Sequence, residues 1–91
     1  MQMEVTKNPS AETIDKLGCR SWSIWSKEPS VFPWHYDEKE TCLITAGTVT
    51  VTPNGGEPVT ISKGDLVVFP QGMSCTWNVQ ETVQKHYKFG D

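Results

Sequence analysis

Gly64-Asp65-Leu66-Val67-Val68-Phe69-Pro70-Gln71-Gly72-Met73-Ser74-Cys75 decides how this sequence is read. A Gly-Asp turn leads into a four-residue apolar run, and Pro70-Gln71-Gly72 turns the chain again. Upstream, Thr48-Val49-Thr50-Val51-Thr52 is β-branched throughout and alternates, as a strand with one wet face does. Pro53-Asn54-Gly55-Gly56 is a strong turn signal, and Val59-Thr60-Ile61 follows it. Glu40 to Ala46 reads as a strand ended by Gly47. Ser74 to Val79 and Val83 to Phe89 read as two more, separated by Gln80-Glu81. Trp22 and Ile24, then Phe32, Trp34 and Tyr36, alternate in the same way. Turn signals therefore recur every eight to ten residues or so, the rhythm of an all-β sandwich or barrel. No helix-length gap follows residue 20, which argues against βαβ units.

One stretch reads as helix. Ser10 can cap Ala11-Glu12-Thr13-Ile14-Asp15-Lys16-Leu17, and Gly18 can take the left-handed stop. Ile14 and Leu17 would pack this turn or two onto something else. The expected layout is one domain over 1–91: an N-terminal arm with a helical turn over 1–20, and the barrel over 21–91.

Composition bounds the function. The chain has 91 residues, net charge −3 and scattered Lys and Arg, so nucleic acid is not an expected partner. Its apolar runs are far too short for a spanning helix, so a membrane role is not expected either. Three Cys without close spacing are no disulfide framework. Free thiols and an N-terminus without an apolar signal core make the cytoplasm the default compartment. A plastid stays open if a cleaved targeting segment precedes this sequence.

Two segments carry the chemistry. Trp34-His35-Tyr36-Asp37-Glu38-Lys39-Glu40 is followed by Gly47, and the Gly64–Cys75 stretch follows that. Their spacing resembles the two cupin motifs, in which two His, a Glu and a Gly precede a Gly, a Pro-x-Gly turn and a third His. Glu40 and Gly47, then Gly64, Pro70 and Gly72, stand at matching positions. Gly47 and Gly64 are expected in hairpin turns with positive φ. The chain also resembles small single-domain cupins of plants and bacteria grouped with the cupin domain of (S)-ureidoglycine aminohydrolase. Trp22-x-x-Trp25, Phe32-x-Trp34-x-Tyr36, Glu40-Thr41-Cys42, Cys75-x-Trp77 and Lys85-His86-Tyr87 carry that likeness. The resemblance implies a small cupin double-stranded β-helix, a jelly-roll barrel.

Carried over residue by residue, the resemblance puts Trp34 and Tyr36 at the two His positions and Cys75 at the third. Glu40 alone is retained. The usual His-based metal site is thus expected to be lost and no cofactor is called for. If a divalent metal binds, Glu40 and Cys75 are its remaining donors, with Cys42 in phase as a third. Zinc normally takes three or four protein ligands. His35 and His86 fall on outward positions.

Glu40 reads either as a hydrogen-bonded carboxylate in the barrel mouth or as a catalytic base. Cys75 reads as a small buried hydrophobe rather than a nucleophile, since no base or cation is in phase to activate it. Trp34, Tyr36, Glu40, Cys42, Cys75 and Trp77 are the expected pocket lining. Trp22 and Trp25 read as packing or dimer contact, and Val83, Lys85, Tyr87 and Phe89 share one row of the last strand. The favoured function is small-molecule binding. An enzyme acting on a small nitrogen-containing compound, hydrolase or isomerase, is the first alternative, with Glu40 as base or metal ligand. A non-catalytic assembly module is the second. Edge strands in so small a barrel invite pairing, which leaves a homodimer open.

Overall fold

Backbone groups left unpaired at the ends of a short helix must find partners, and here local side chains supply them. In α1 (Ala11–Leu17) the Ser10 hydroxyl accepts from the Thr13 N–H at 3.2 Å. Gly18, at φ 69°, donates its N–H to the carbonyls of Ile14 and Asp15. Ile14 is half-buried, but Leu17 stays exposed, so the helix packs through less surface than its pattern promises. The computed structural model describes residues 3–90.

Among the described residues, seven strands form one antiparallel sheet: β1 (Glu4–Thr6), β2 (Ser23–Lys27), β3 (Ser30–His35), β4 (Glu40–Pro53), β5 (Val59–Ser62), β6 (Leu66–Phe69) and β7 (Ser74–Phe89). The all-β jelly-roll expectation is met. Its spine is the pairing of β4 with β7, which runs from Glu40 opposite Phe89 to Pro53 opposite Cys75. Each long strand has two different outer partners. β4 pairs β6 through Glu40–Leu43 and β5 through Thr48–Val51. β7 pairs β3 through Ser74–Val79 and β2 through Val83–Tyr87.

Three sequence expectations are corrected. Gly47 does not end a strand in a hairpin turn, because β4 continues through it. It has φ 88° and lies among the register shifts between Ile44 and Val49. Such a bulge bends a two-stranded ribbon and increases its twist, which rolls the sheet onto itself. Gln80-Glu81 likewise does not separate two strands, since β7 runs through both. Finally, the N-terminal arm contributes β1, whose Glu4–Thr6 pair with Val68–Leu66 of β6. Lys7 fastens that arm: its Nζ donates to buried Asp65 Oδ2 at 2.8 Å and to the Thr60 carbonyl at 3.0 Å. Asp65 also accepts the Ser62 N–H at 2.9 Å, so the Gly-Asp turn is held from both sides.

The inward rows of β4, β5, β6 and β7 make the core. It includes Ile44, Val49, Val51, Ile61, Val67, Phe69, Trp77, Val79 and Val83. Tyr36, just past β3, stacks on Phe69 with ring centroids 4.6 Å apart and planes 7° from parallel.

The bend at Gly47 has no room for a side chain. A Cβ there would overlap the Thr82 carbonyl oxygen and lie 2.8 Å from that of Glu81. Gly47→Ala is therefore expected to lose at least about 3 kcal/mol of stability. Gly55→Ala serves as the control. It has a similar φ of 75° but open space around it, and should lose only about 1–2 kcal/mol. Urea unfolding midpoints of both variants check the contrast.

Candidate functional site

Strand alternation sends every second side chain of β7 inward, and the bend keeps Val83, Lys85, Tyr87 and Phe89 on the same inner face as Cys75, Trp77 and Val79. Opposite them, β4 presents Glu40, Cys42 and Ile44. Strands β2 and β3, which pair with successive stretches of β7, bring Trp25, Phe32 and Trp34 to this end. Together they leave an open cavity of about 200 Å³ lined by Trp25, Phe32, Trp34, Glu40, Trp77, Lys85, Tyr87 and Phe89.

The walls are aromatic and touch one another. Trp25 meets Trp77 edge-on at 5.9 Å, Phe32 lies nearly parallel to Trp77 at 6.1 Å, and Trp34 meets Phe32 edge-on at 6.4 Å. Trp34 and Phe89 are 46% and 50% exposed, so the rim is apolar and wet. Deeper in, Glu40 and Lys85 are 2% and 6% exposed.

Glu40 and Lys85 form the polar feature of the cavity. Lys85 Nζ donates to Glu40 Oε2 at 2.5 Å. The register sets Lys85 beside Ile44 and Glu40 beside Phe89, with the Cys42–Tyr87 pair between them. Four strand residues separate the two positions, an advance of roughly 13 Å, so the lysine and glutamate side chains must lean toward each other along the wall to meet. Its ammonium lies 4.8 Å from the Trp77 ring centroid, 4.9 Å from Trp25 and 5.7 Å from Tyr87. Ring faces carry negative potential and attract such a cation. Neither charge could be buried alone without a large desolvation cost.

The expected lining divides in two. Trp34, Glu40 and Trp77 are brought together at the cavity. Tyr36, Cys42 and Cys75 are buried in the core behind it. The Tyr36 hydroxyl accepts from Trp77 Nε1 at 3.1 Å. Burial, with Glu40 as a second cause, raises the Tyr36 hydroxyl well above the usual phenol value. Burial also pushes the Cys42 thiol up to about 12 and the Cys75 thiol up to about 11. Trp25, read as packing or dimer contact, lines the cavity. A cation is in phase after all: Lys85 sits inward, on the row its spacing with Val83 and Tyr87 implies. That row was the available signal, but nothing local in sequence pairs it with Glu40, 45 residues away. His35 is exposed and hydrogen-bonds Ser74 Oγ at 2.7 Å, while His86 Nδ1 lies 3.2 Å from the Trp22 carbonyl.

The four motif positions do not fit a divalent metal. Trp34 offers no ligand atom, Tyr36 is tied to Trp77, Glu40 is tied to an ammonium that would repel a cation, and Cys75 keeps its proton. Among the described residues no three His, Cys, Asp or Glu converge as a metal set.

Residues 14–87 match the EutQ-like cupin domain family. The chain belongs to this family. A DUF861 family protein from Thermotoga maritima is 44% identical, with TM-score 0.94 over 98% of this chain and 100% of that one. A second DUF861 protein, of unknown function, from Pseudomonas syringae is 25% identical, with TM-score 0.66 over 74% of this chain and 29% of that one. The EutQ protein of Clostridium difficile has the same TM-score at 21% identity, over 72% of this chain and 52% of that one, a likeness of fold alone. Comparison with curated proteins finds no significant match.

Two predictions follow for this EutQ-like cupin domain. Lys85→Met should cost about 3–5 kcal/mol, because it strands a buried carboxylate. The Glu40→Leu/Lys85→Met double variant should recover most of that loss, which a double-mutant cycle in urea would measure. The second concerns the thiols. At pH 8 a thiol reagent such as DTNB should react slowly with the native protein and rapidly with all three cysteines once it is unfolded. Because folding raises the thiols from an ordinary 9.0, the unfolded chain gives up its thiol protons first. Stability should therefore fall as pH climbs from about 9 through 11 to 12, and be insensitive to these groups below 9.

Proposed function

We propose that this domain binds a small, flat organic molecule in the aromatic cavity at the barrel mouth, oriented by the Glu40–Lys85 pair. The observation that carries the reading is an open, ring-walled space with one buried charge pair in its wall. Ligand sites commonly combine apolar walls with a few polar groups that fix orientation. The exposed faces of Trp34 and Phe89 support it further, since a guest seated against them would remove apolar surface from water.

The motif likeness to the cupin domain of (S)-ureidoglycine aminohydrolase adds no reaction to this proposal. A metal-dependent hydrolysis would need a donor set that Trp34, Tyr36, Glu40 and Cys75 do not provide. A base role for Glu40 would act on the same bound molecule and would show itself as turnover lost in Glu40→Gln.

A set of single-ring aromatic compounds, screened by ligand-observed NMR, tests the binding reading. Binders are expected, and Trp34→Ala should weaken them at least tenfold. Because Trp34 is half exposed, the variant should lose only about 1–2 kcal/mol of stability and stay folded. Binding that is absent, or indifferent to Trp34→Ala, would remove the cavity as the site.

A further inference from the structure

The charge balance of the cavity wall narrows the ligand class, and this step rests on the binding reading above. The wall holds one carboxylate and one ammonium, 2.5 Å apart and nearly excluded from solvent. Their charges cancel. A carboxylate or phosphate guest would set a second negative charge beside Glu40. An ammonium guest would set a second positive charge beside Lys85. Either would leave one charge uncompensated in an apolar site, which is costly.

The rings alone would suit a cationic guest, as aromatic cages do. That place is already taken from within. The Lys85 ammonium sits 4.8 Å and 4.9 Å from the Trp77 and Trp25 centroids and 5.7 Å from Tyr87.

What the pair still offers is a donor beside an acceptor. An ammonium has three N–H groups and a carboxylate several lone-pair sites, so one hydrogen bond between them exhausts neither. A neutral guest with a carbonyl and an N–H in one plane matches both: the carbonyl accepts from Lys85 and the N–H donates to Glu40. Amides and lactams have that arrangement, and a conjugated ring carries it against the Phe32 and Trp34 faces. Size agrees, since a dry cavity of about 150 Å³ holds benzene and this one is about 200 Å³. We infer that the cavity selects an uncharged, planar, conjugated amide or lactam over carboxylates and amines of the same shape, with Lys85 and Glu40 reading its carbonyl and N–H.

The test titrates the full chain at pH 7 with benzamide, benzoate, benzylamine and ethylbenzene, following the tryptophan indole N–H resonances. Benzamide should bind at least tenfold tighter than the other three. The Glu40→Leu/Lys85→Met variant removes both charges at once and so does not strand either. It should lose the preference for benzamide over ethylbenzene while keeping its native spectrum. If benzoate or benzylamine binds as tightly as benzamide, the amide inference is overturned and the binding reading survives. The inference also falls if the double variant keeps the preference. If none of the four probes moves an indole resonance near its solubility limit, both fall together.

Discussion

The long antiparallel pairing of β4 with β7, bent at Gly47, is the constraint on which the other elements depend. A flat pair of this length could not bury its own inner face. The bulge turns one ribbon into two arms, and each arm takes its own outer strands: β6 and β2 on the arm where Glu40 lies opposite Phe89, β5 and β3 on the arm where Pro53 lies opposite Cys75. Closure needs a residue without Cβ at the bend, because the Glu81 and Thr82 carbonyls occupy the side-chain space. The motif glycine is thus a steric requirement of the rolled sheet.

The same bend determines what faces the mouth. It preserves the inward phase of β7 across residues 80–82, so Lys85 enters the aromatic end of the barrel. Glu40 stands at the start of β4 on the same inner side. A buried carboxylate needs a counter-charge. In this chain an ammonium supplies it, and the neighbouring rings share in holding that cation. The acid position of the first motif keeps its residue while its partner has become part of the chain.

Much of this was legible from residues alone. The capped helix was, because Ser10 and Gly18 are local signals. So was the all-β rhythm, because alternation and turn residues are local too. The continuity of β4 and β7 was not. Gly47 and Gln80-Glu81 carry the composition of turns, and only pairing across the sheet makes them a bulge. β1 was missed because three residues without a strong pattern gain their strand from β6 and from the Lys7–Asp65 contact. In the site, inward phase was readable for Trp34, Glu40 and Trp77. Depth was not: alternation gives a face, but not that Tyr36, Cys42 and Cys75 are covered by core neighbours while Tyr87 and Trp34, paired across from Cys42 and Cys75, reach the cavity. The Glu40–Lys85 pair joins two strands far apart in sequence, so its charges could be assigned a face but not each other.

Depth also bears on the kind of chemistry the cavity can host. The groups with covalent potential, the Cys42 and Cys75 thiols, are protonated and packed among core side chains. The groups that reach the cavity are aromatic rings and two charges already bonded to each other. A nucleophile in a working site is set beside a base or cation that frees it to react, with open space before it. Here the open space and the thiols are apart, and the cation beside the space is engaged by a carboxylate. Rings and a compensated ion pair favour holding a flat molecule reversibly, and their orientation of its polar edge is the selectivity such a site can supply.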